Sequence, residues 1–398
     1  MRTIIAVMIV FLTAIPCLAE KSFDDIIYSM ESVELPNDQE AFFQDDLHVT
    51  QLYLNINDID AISPHIGQLR DLQVLHILGG TCNRDERREL TIPLELLNLP
   101  NLHTLIIRCV TDVRLPPGTE ANQIQSKIER LHISGWIKNS IPFLGSLTQL
   151  REISLSLGDG LELPTGLEQL HRLRTLRIEE HAEPLALEPL CGLANLRQLE
   201  LITQSRPLPD CLTRLTHLKT VSMPSCRRED LPDKTKIAFP TVLASLPNLE
   251  ELNLVAESYC IEMPKASYGL KNLRTLTVMP WVHDRSYGRC PDESRDTFDA
   301  EHDCEQFDLD NVVEYPKLEK IILRDADLKG STQIQGIHRF LSILDTAWKQ
   351  GKVPSLMHVD ILAREDDPTK TVTVWKRPST KMKSGIIRQN VNVLQKNR

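Results

Sequence analysis

Apolar residues recur along most of the chain in a six-residue phrase, apolar-x-x-apolar-x-apolar. It reads VTQLYL from Val49, LQVLHI from Leu72, LHTLII from Leu102, IERLHI from Ile128, LREISL from Leu150 and LRTLRI from Leu173. It continues as LRQLEL from Leu196, LKTVSM from Leu218, LEELNL from Leu249, LRTLTV from Leu273, LEKIIL from Leu318 and LMHVDI from Leu356. Between Ile128 and Leu218 successive phrases are 22 or 23 residues apart. Within LRQLEL, Leu199 and Leu201 alternate with Gln198 and Glu200, so a short strand buries its leucines on one side and turns polar groups to the other.

The segments between phrases repeat as well. A proline stands seven to nine residues before the first apolar residue of eight phrases (Pro64, Pro93, Pro142, Pro164, Pro189, Pro209, Pro240 and Pro264), commonly followed by leucine at every third position, as in LPTGLEQLHRL. That spacing suits a tight 3₁₀ turn better than a long α-helix. One such unit cannot bury its own leucines, whereas stacked units can, so the pattern predicts a curved solenoid with a parallel sheet on its concave side. Twelve rungs at ~4.8 Å would span on the order of 55 Å.

The phrases resemble the leucine-rich repeat family in its LPxxLxxLxxL version, familiar from bacterial and plant proteins, over residues 49–365. The resemblance implies an α/β solenoid of about twelve irregular repeats with caps at both ends. It also implies an asparagine or cysteine three residues after the last strand leucine, where only Asn57 and Cys226 fit. An asparagine ladder at that position is therefore absent, and the turn backbone groups must find other partners.

The ends differ from the middle. Residues 1–19 carry one basic residue, an apolar run from Ile4 to Ile15, and Cys17 and Ala19 before a cut ahead of Glu20, which predicts a secretory signal peptide. Residues 20–48 contain SFDDIIYSM and EAFFQDDL and are expected to form a helical cap over the first repeat. An acidic insertion, 280–311, interrupts the late repeats, and IQGIHRFLSILDTAWKQGK after it has Ile337, Phe340, Leu341, Leu344 and Trp348 at helical spacing. Residues 366–398 form a basic cap or tail, in which TVTVWKR and IIRQNVNVL read as two strands covering the last repeat edge.

Composition narrows the function classes. The formal net charge is −10, although residues 368–398 hold eight Lys/Arg and no acid, so the body is acidic and unsuited to nucleic acid. No later stretch is apolar enough for a transmembrane segment, and the sequence has no Asn-X-Ser/Thr sequon, in keeping with a bacterial exported protein of the periplasm, cell surface or medium. Beyond Cys17 eight cysteines remain: Cys82, Cys109, Cys191, Cys211, Cys226, Cys260, Cys290 and Cys304. In an exported chain their even number favours disulfides, with Cys191–Cys211, Cys226–Cys260, Cys82–Cys109 and Cys290–Cys304 as conceivable pairs.

No nucleophile elbow, zinc-protease motif, phosphate loop or dinucleotide fingerprint occurs, and no cofactor is implied. His283, Cys290, His302 and Cys304 match no zinc spacing, and Asp296, Asp299, Asp303, Asp308 and Asp310 lack the pattern of a calcium loop. The central position of each strand faces outward, giving Tyr53, His76, Ile106, His132, Ser154, Arg177, Glu200, Ser222, Asn253, Thr277, Ile322 and Asp360, flanked by Arg108, Arg130, Glu179 and Glu251. Tyr53, His76, Arg108, Arg130, His132, Arg177, Glu179 and Glu200 are the candidate contacts to a protein ligand on the concave face. The expected function is non-enzymatic protein binding; the alternative is attachment to a polyanionic envelope by the basic tail from Lys370 to Arg398.

Overall fold

The computed structural model describes Phe23, Ile26 and residues 32–44, 48–56, 59–79, 89–137, 141–157, 163–180, 186–202, 208–226, 235–256, 259–262, 269–278, 315–324, 331–353, 355–362, 371–378 and 384–387. Parallel strands succeed one another at Val33–Glu34, Gln51–Asn55, Val74–Leu78, Thr104–Val110, Arg130–Ile137, Glu152–Leu157, Thr175–Glu180, Gln198–Ile202, Thr220–Cys226, Glu251–Ala256, Thr275–Val278, Lys320–Arg324 and His358–Leu362. A fourteenth, Thr371–Lys376, closes the sheet antiparallel to His358–Leu362. This is the leucine-rich repeat solenoid that the phrase implies, with one strand more at each end than the twelve phrases provide. Two further two-stranded parallel sheets pair Glu89–Thr91 with Asp112–Arg114 and Thr235–Ala238 with Tyr259–Glu262.

The alternation within each phrase decides which side faces the core. Leu199 and Leu201 are at most 1% exposed, as are their counterparts Leu176 and Ile178 one rung before. The proline-led segments close the core from the other side. In the unit that begins at Leu150, Leu167, Leu170 and Leu173 lie three residues apart and all are buried, because a 3₁₀ turn at Leu167–Gln169 brings every third side chain to the same side. Similar turns occur at Pro64–Gln68, Leu144–Ser146, Glu188–Gly192 and Asp210–Arg214, while Leu94–Leu97 and Thr241–Ala244 form single α-helical turns.

Two hydrogen-bonded ladders join the rungs where the chain enters each strand. The residue after the anchor leucine and its successor both donate their N–H to one carbonyl of the preceding rung, as Arg197 and Gln198 do to Arg174 at 2.8 and 2.9 Å. Just before the anchor leucine, a polar side chain bonds the carbonyl two residues ahead of the previous anchor. Asn101 donates to Arg70, Asn195 to His171, Asn248 to Thr216 and Asn272 to Pro247, at 2.7–2.8 Å. His217 and Ser355 occupy the same place, on Ala194 and Pro316. The asparagine ladder sought after the strands is thus present before them.

The ends are closed by separate devices. A short helix, Gln39–Gln44, places Phe43 against the first rung, where it is 1% exposed, and the Gln39 side chain bonds Ala61 and Ser63. At the other end the helix Ser331–Lys349 buries Phe340, Leu341 and Leu344. Its Asp345 carboxylate accepts hydrogen bonds from the Trp375 indole at 2.8 Å, the Gly385 N–H at 2.9 Å and the Ser384 hydroxyl. Trp375, fully buried, in turn pairs by backbone bridge with Ile386. Part of the basic segment therefore serves as the closing strand of the fold.

Candidate binding surface

The twelve central strand positions form one uninterrupted row across the sheet. Tyr53 is registered with His76, His76 with Ile106, Ile106 with His132, His132 with Ser154, and Ser154 with Arg177. The row continues through Glu200, Ser222, Asn253, Thr277 and Ile322 to Asp360. All twelve point away from the leucine core, so their side chains define the concave face.

The first third of that face is covered. Phe23 and Ile26, both helical, pack with Val74 and Ile106 in a small apolar cluster separate from the main core. The Phe23 ring lies 5.2 Å from that of His132, and the Arg130 guanidinium lies 4.7 Å from the Phe23 centroid, a cation–π distance. Arg130 also donates to Glu152 at 2.7 Å. His76 stacks on Tyr53 with centroids 3.9 Å apart and planes 16° from parallel. His76 and Ile106 face the concave side but are 0% exposed.

Burial without partners sets the electrostatics of the two histidines. Among the described residues neither ring nitrogen of His76 has a hydrogen-bond partner, nor does Nδ1 of His132. Burial, then Arg108 and then His132, lowers the His76 pKa to about 4. Burial, then Arg108 and Arg177, lowers that of His132 to about 4. Both are neutral at pH 7, so the positive charge at this end rests on Arg108 and Arg130.

Beyond Ser154 the concave face is open and polar, and its side chains bond from rung to rung. Arg177 lies 3.9 Å from Glu200, Thr175 donates to Gln198 at 3.1 Å, and Asn253 donates to Ser222 at 3.0 Å. Lys320 pairs with Asp360 at 3.0 Å, and Thr373 donates to the same carboxylate. The structure thus divides the eight candidate contacts. Tyr53, His76, Arg130 and His132 gather at the covered end and Arg177, Glu179 and Glu200 lie on the open stretch, with Arg108 half-buried between rungs near the former group. Sequence reasoning missed Phe23 and Ile26 as concave elements; their only signal was the helical pattern of SFDDIIYSM.

Cys191 and Cys211, on successive convex turns, form a disulfide with Cα atoms 5.6 Å apart. Cys109 is also disulfide-bonded, to a partner outside the described residues. Cys82, Cys290 and Cys304, the 280–311 insertion with His283 and His302, and residues 1–19 lie outside them too, as do the side chains of Cys226 and Cys260. Among the described residues no group of His, Cys, Asp and Glu is arranged to hold a metal ion, and no helix is long and apolar enough to cross a membrane.

No family model and no curated protein matches the sequence. Among solved structures the chain is similar to a leucine-rich repeat protein of Leptospira interrogans, with 20% identity, 76% of this chain and 79% of that one covered, and a TM-score of 0.39. It is similar as well to an internalin of Listeria monocytogenes (16% identity, 74% and 78% covered, TM-score 0.37) and to internalin C2 of the same organism (18%, 56% and 83%, TM-score 0.34).

Proposed function

We propose that this chain is an exported, non-enzymatic scaffold that binds a protein partner on the open part of its concave face, from Arg177 to Thr277. The observation that carries this is the unbroken row of side chains, held in register by paired strands over twelve rungs. A rigid row of that kind is pre-organised, so a partner loses little affinity to ordering it. A standard interface takes ~800 Å² from each partner, a patch several rungs wide. Arg177 is the natural anchor, because a guanidinium combines a planar donor fork with stacking area. Glu179 and Glu200 beside it set the charge pattern that selects the partner.

Export is supported by the apolar run Ile4–Ile15 and by the Cys191–Cys211 disulfide, a bond at home in oxidising compartments. The experiment is affinity capture from the native environment, followed by titration of the captured protein. Arg177→Glu combined with Glu200→Lys should weaken its binding at least tenfold with no change in folding. Undiminished binding by that variant would place the interface elsewhere.

A further inference from the structure

On the rim where the chain enters each strand, the residue after the anchor leucine is cationic on four successive rungs: Arg151, Arg174, Arg197 and Lys219. The backbone ladder fixes their alignment. Each N–H donates to the carbonyl of its counterpart one rung earlier, Arg174 to Arg151, Arg197 to Arg174 and Lys219 to Arg197, at 2.8–2.9 Å. The four charges therefore stand at the rung spacing of ~4.8 Å, a stripe ~14 Å long. All four are exposed, and Arg172, immediately before Leu173, adds a fifth. The stripe is bounded by acids that pair only its end members: Glu129 lies 3.5 Å from Arg151, and Glu250 accepts from Lys219 at 2.7 Å. Among the described residues Arg174 and Arg197 have no ion-pair partner.

An in-register stack of like charges repels itself, and it stands in a chain whose net charge is −10. We propose that this rim binds a linear acidic polysaccharide built of uronic acids, lying along the solenoid axis across the strands. Such a polymer carries one carboxylate per sugar, and in its two-fold ribbon successive sugars turn over, so carboxylates return to one side every second sugar, close to the spacing of alternate rungs. Arginine forks donate two parallel hydrogen bonds to a carboxylate. An extended acidic peptide presents side chains on one face only every ~6.7 Å and falls out of step with the rungs.

The test is calorimetric titration of an oligogalacturonate into the full chain at low salt, with poly-glutamate as the peptide control. The wild-type chain should bind the oligouronate and bind it less as salt rises. Arg174→Glu with Arg197→Glu should cost at least tenfold, and Arg174→Gln with Arg197→Gln gives the same reading should the reversal disturb folding. Lys352→Glu, and the concave pair Arg177→Glu with Glu200→Lys, should leave the affinity unchanged, which separates this site from protein binding on the concave face. No binding of the oligouronate, equal binding of poly-glutamate, or an unaffected double variant would each overturn the proposal.

Discussion

The ring of Phe23 lies between two residues of one strand, 5.2 Å from the His132 ring and 4.7 Å from the Arg130 guanidinium. A residue from ahead of the first repeat thereby governs the first third of the concave surface. It shields a histidine from water and holds an arginine that also pairs with Glu152. From Arg177 to Ile322 the central concave positions are partly exposed to solvent, so one face offers two environments.

Replacing Phe23 by alanine should cost about 3 kcal/mol of stability, the low end for a buried phenylalanine, because the site lies at the edge of a small cluster. The change should also let water reach His132 and move its titration up from about 4 toward 6.5. Denaturant unfolding and NMR titration of the imidazole protons measure the two effects. An unchanged His132 titration would mean that Phe23 is not what desolvates it.

His76 and His132 make stability depend on pH in a defined window. Their folded-state pKa values of about 4 lie below the ordinary 6.5, so between these limits the unfolded chain binds more protons than the folded one. Their contribution is complete above pH 6.5 and is lost as pH falls toward 4, a loss on the order of a few kcal/mol for the pair. Melting temperatures recorded from pH 7.5 to 4 should fall across that interval. A flat profile in which both imidazoles titrate near 6.5 would contradict the burial seen here.

His76→Phe should be neutral or stabilising by about 1 kcal/mol, since it removes two buried nitrogens without partners and keeps an aromatic ring against Tyr53. It should also flatten part of the acid-side decline. Loss of stability in this variant, measured at pH 7, would reveal a partner for the imidazole.

Asp345→Ala leaves the Trp375 indole and the Gly385 N–H without their acceptor inside the C-terminal cap. The expected cost is about 3 kcal/mol, together with raised hydrogen exchange along Thr371–Lys376. For the same reason, deleting the chain after Asp367 removes the closing strand as well as basic charge. Charge reversal at Lys381 and Lys383 is the cleaner probe of surface attachment by the tail.

Cys191→Ser with Cys211→Ser should lower stability by about 3 kcal/mol, as expected for a loop closed over a sequence separation of 20. Reductant should shift the denaturant curve of the native chain further than that of this variant, which retains only the Cys109 disulfide of those described.

The repeat was legible because each rung restates its own inside and outside: Leu199 and Leu201 against Gln198 and Glu200 is a local pattern with a local cause. The concave row followed from the same alternation. Two features escaped it. The asparagine ladder was sought after the strand, whereas Asn101, Asn195, Asn248 and Asn272 sit immediately before the anchor leucine, and the recurring Asn-Leu pair was its signal. The covering of His76 was hidden for a different reason. Alternation says which way a side chain points but not what lies above it, and contact between Phe23 and His132 follows no period in the sequence.

The intervals between rungs vary widely while the central row of the sheet does not slip. Bonded partners on adjacent rungs are 22 residues apart at Arg130 and Glu152 and 45 apart at Arg274 and Glu319, yet the central row passes from Thr277 to Ile322 without a shift. The ruler along which the side chains are set is therefore indifferent to how much chain is paid out between its marks. Segments between rungs can be lengthened, shortened or exchanged and the concave surface will keep its spacing, which makes those connections the natural places to graft a new loop onto this protein.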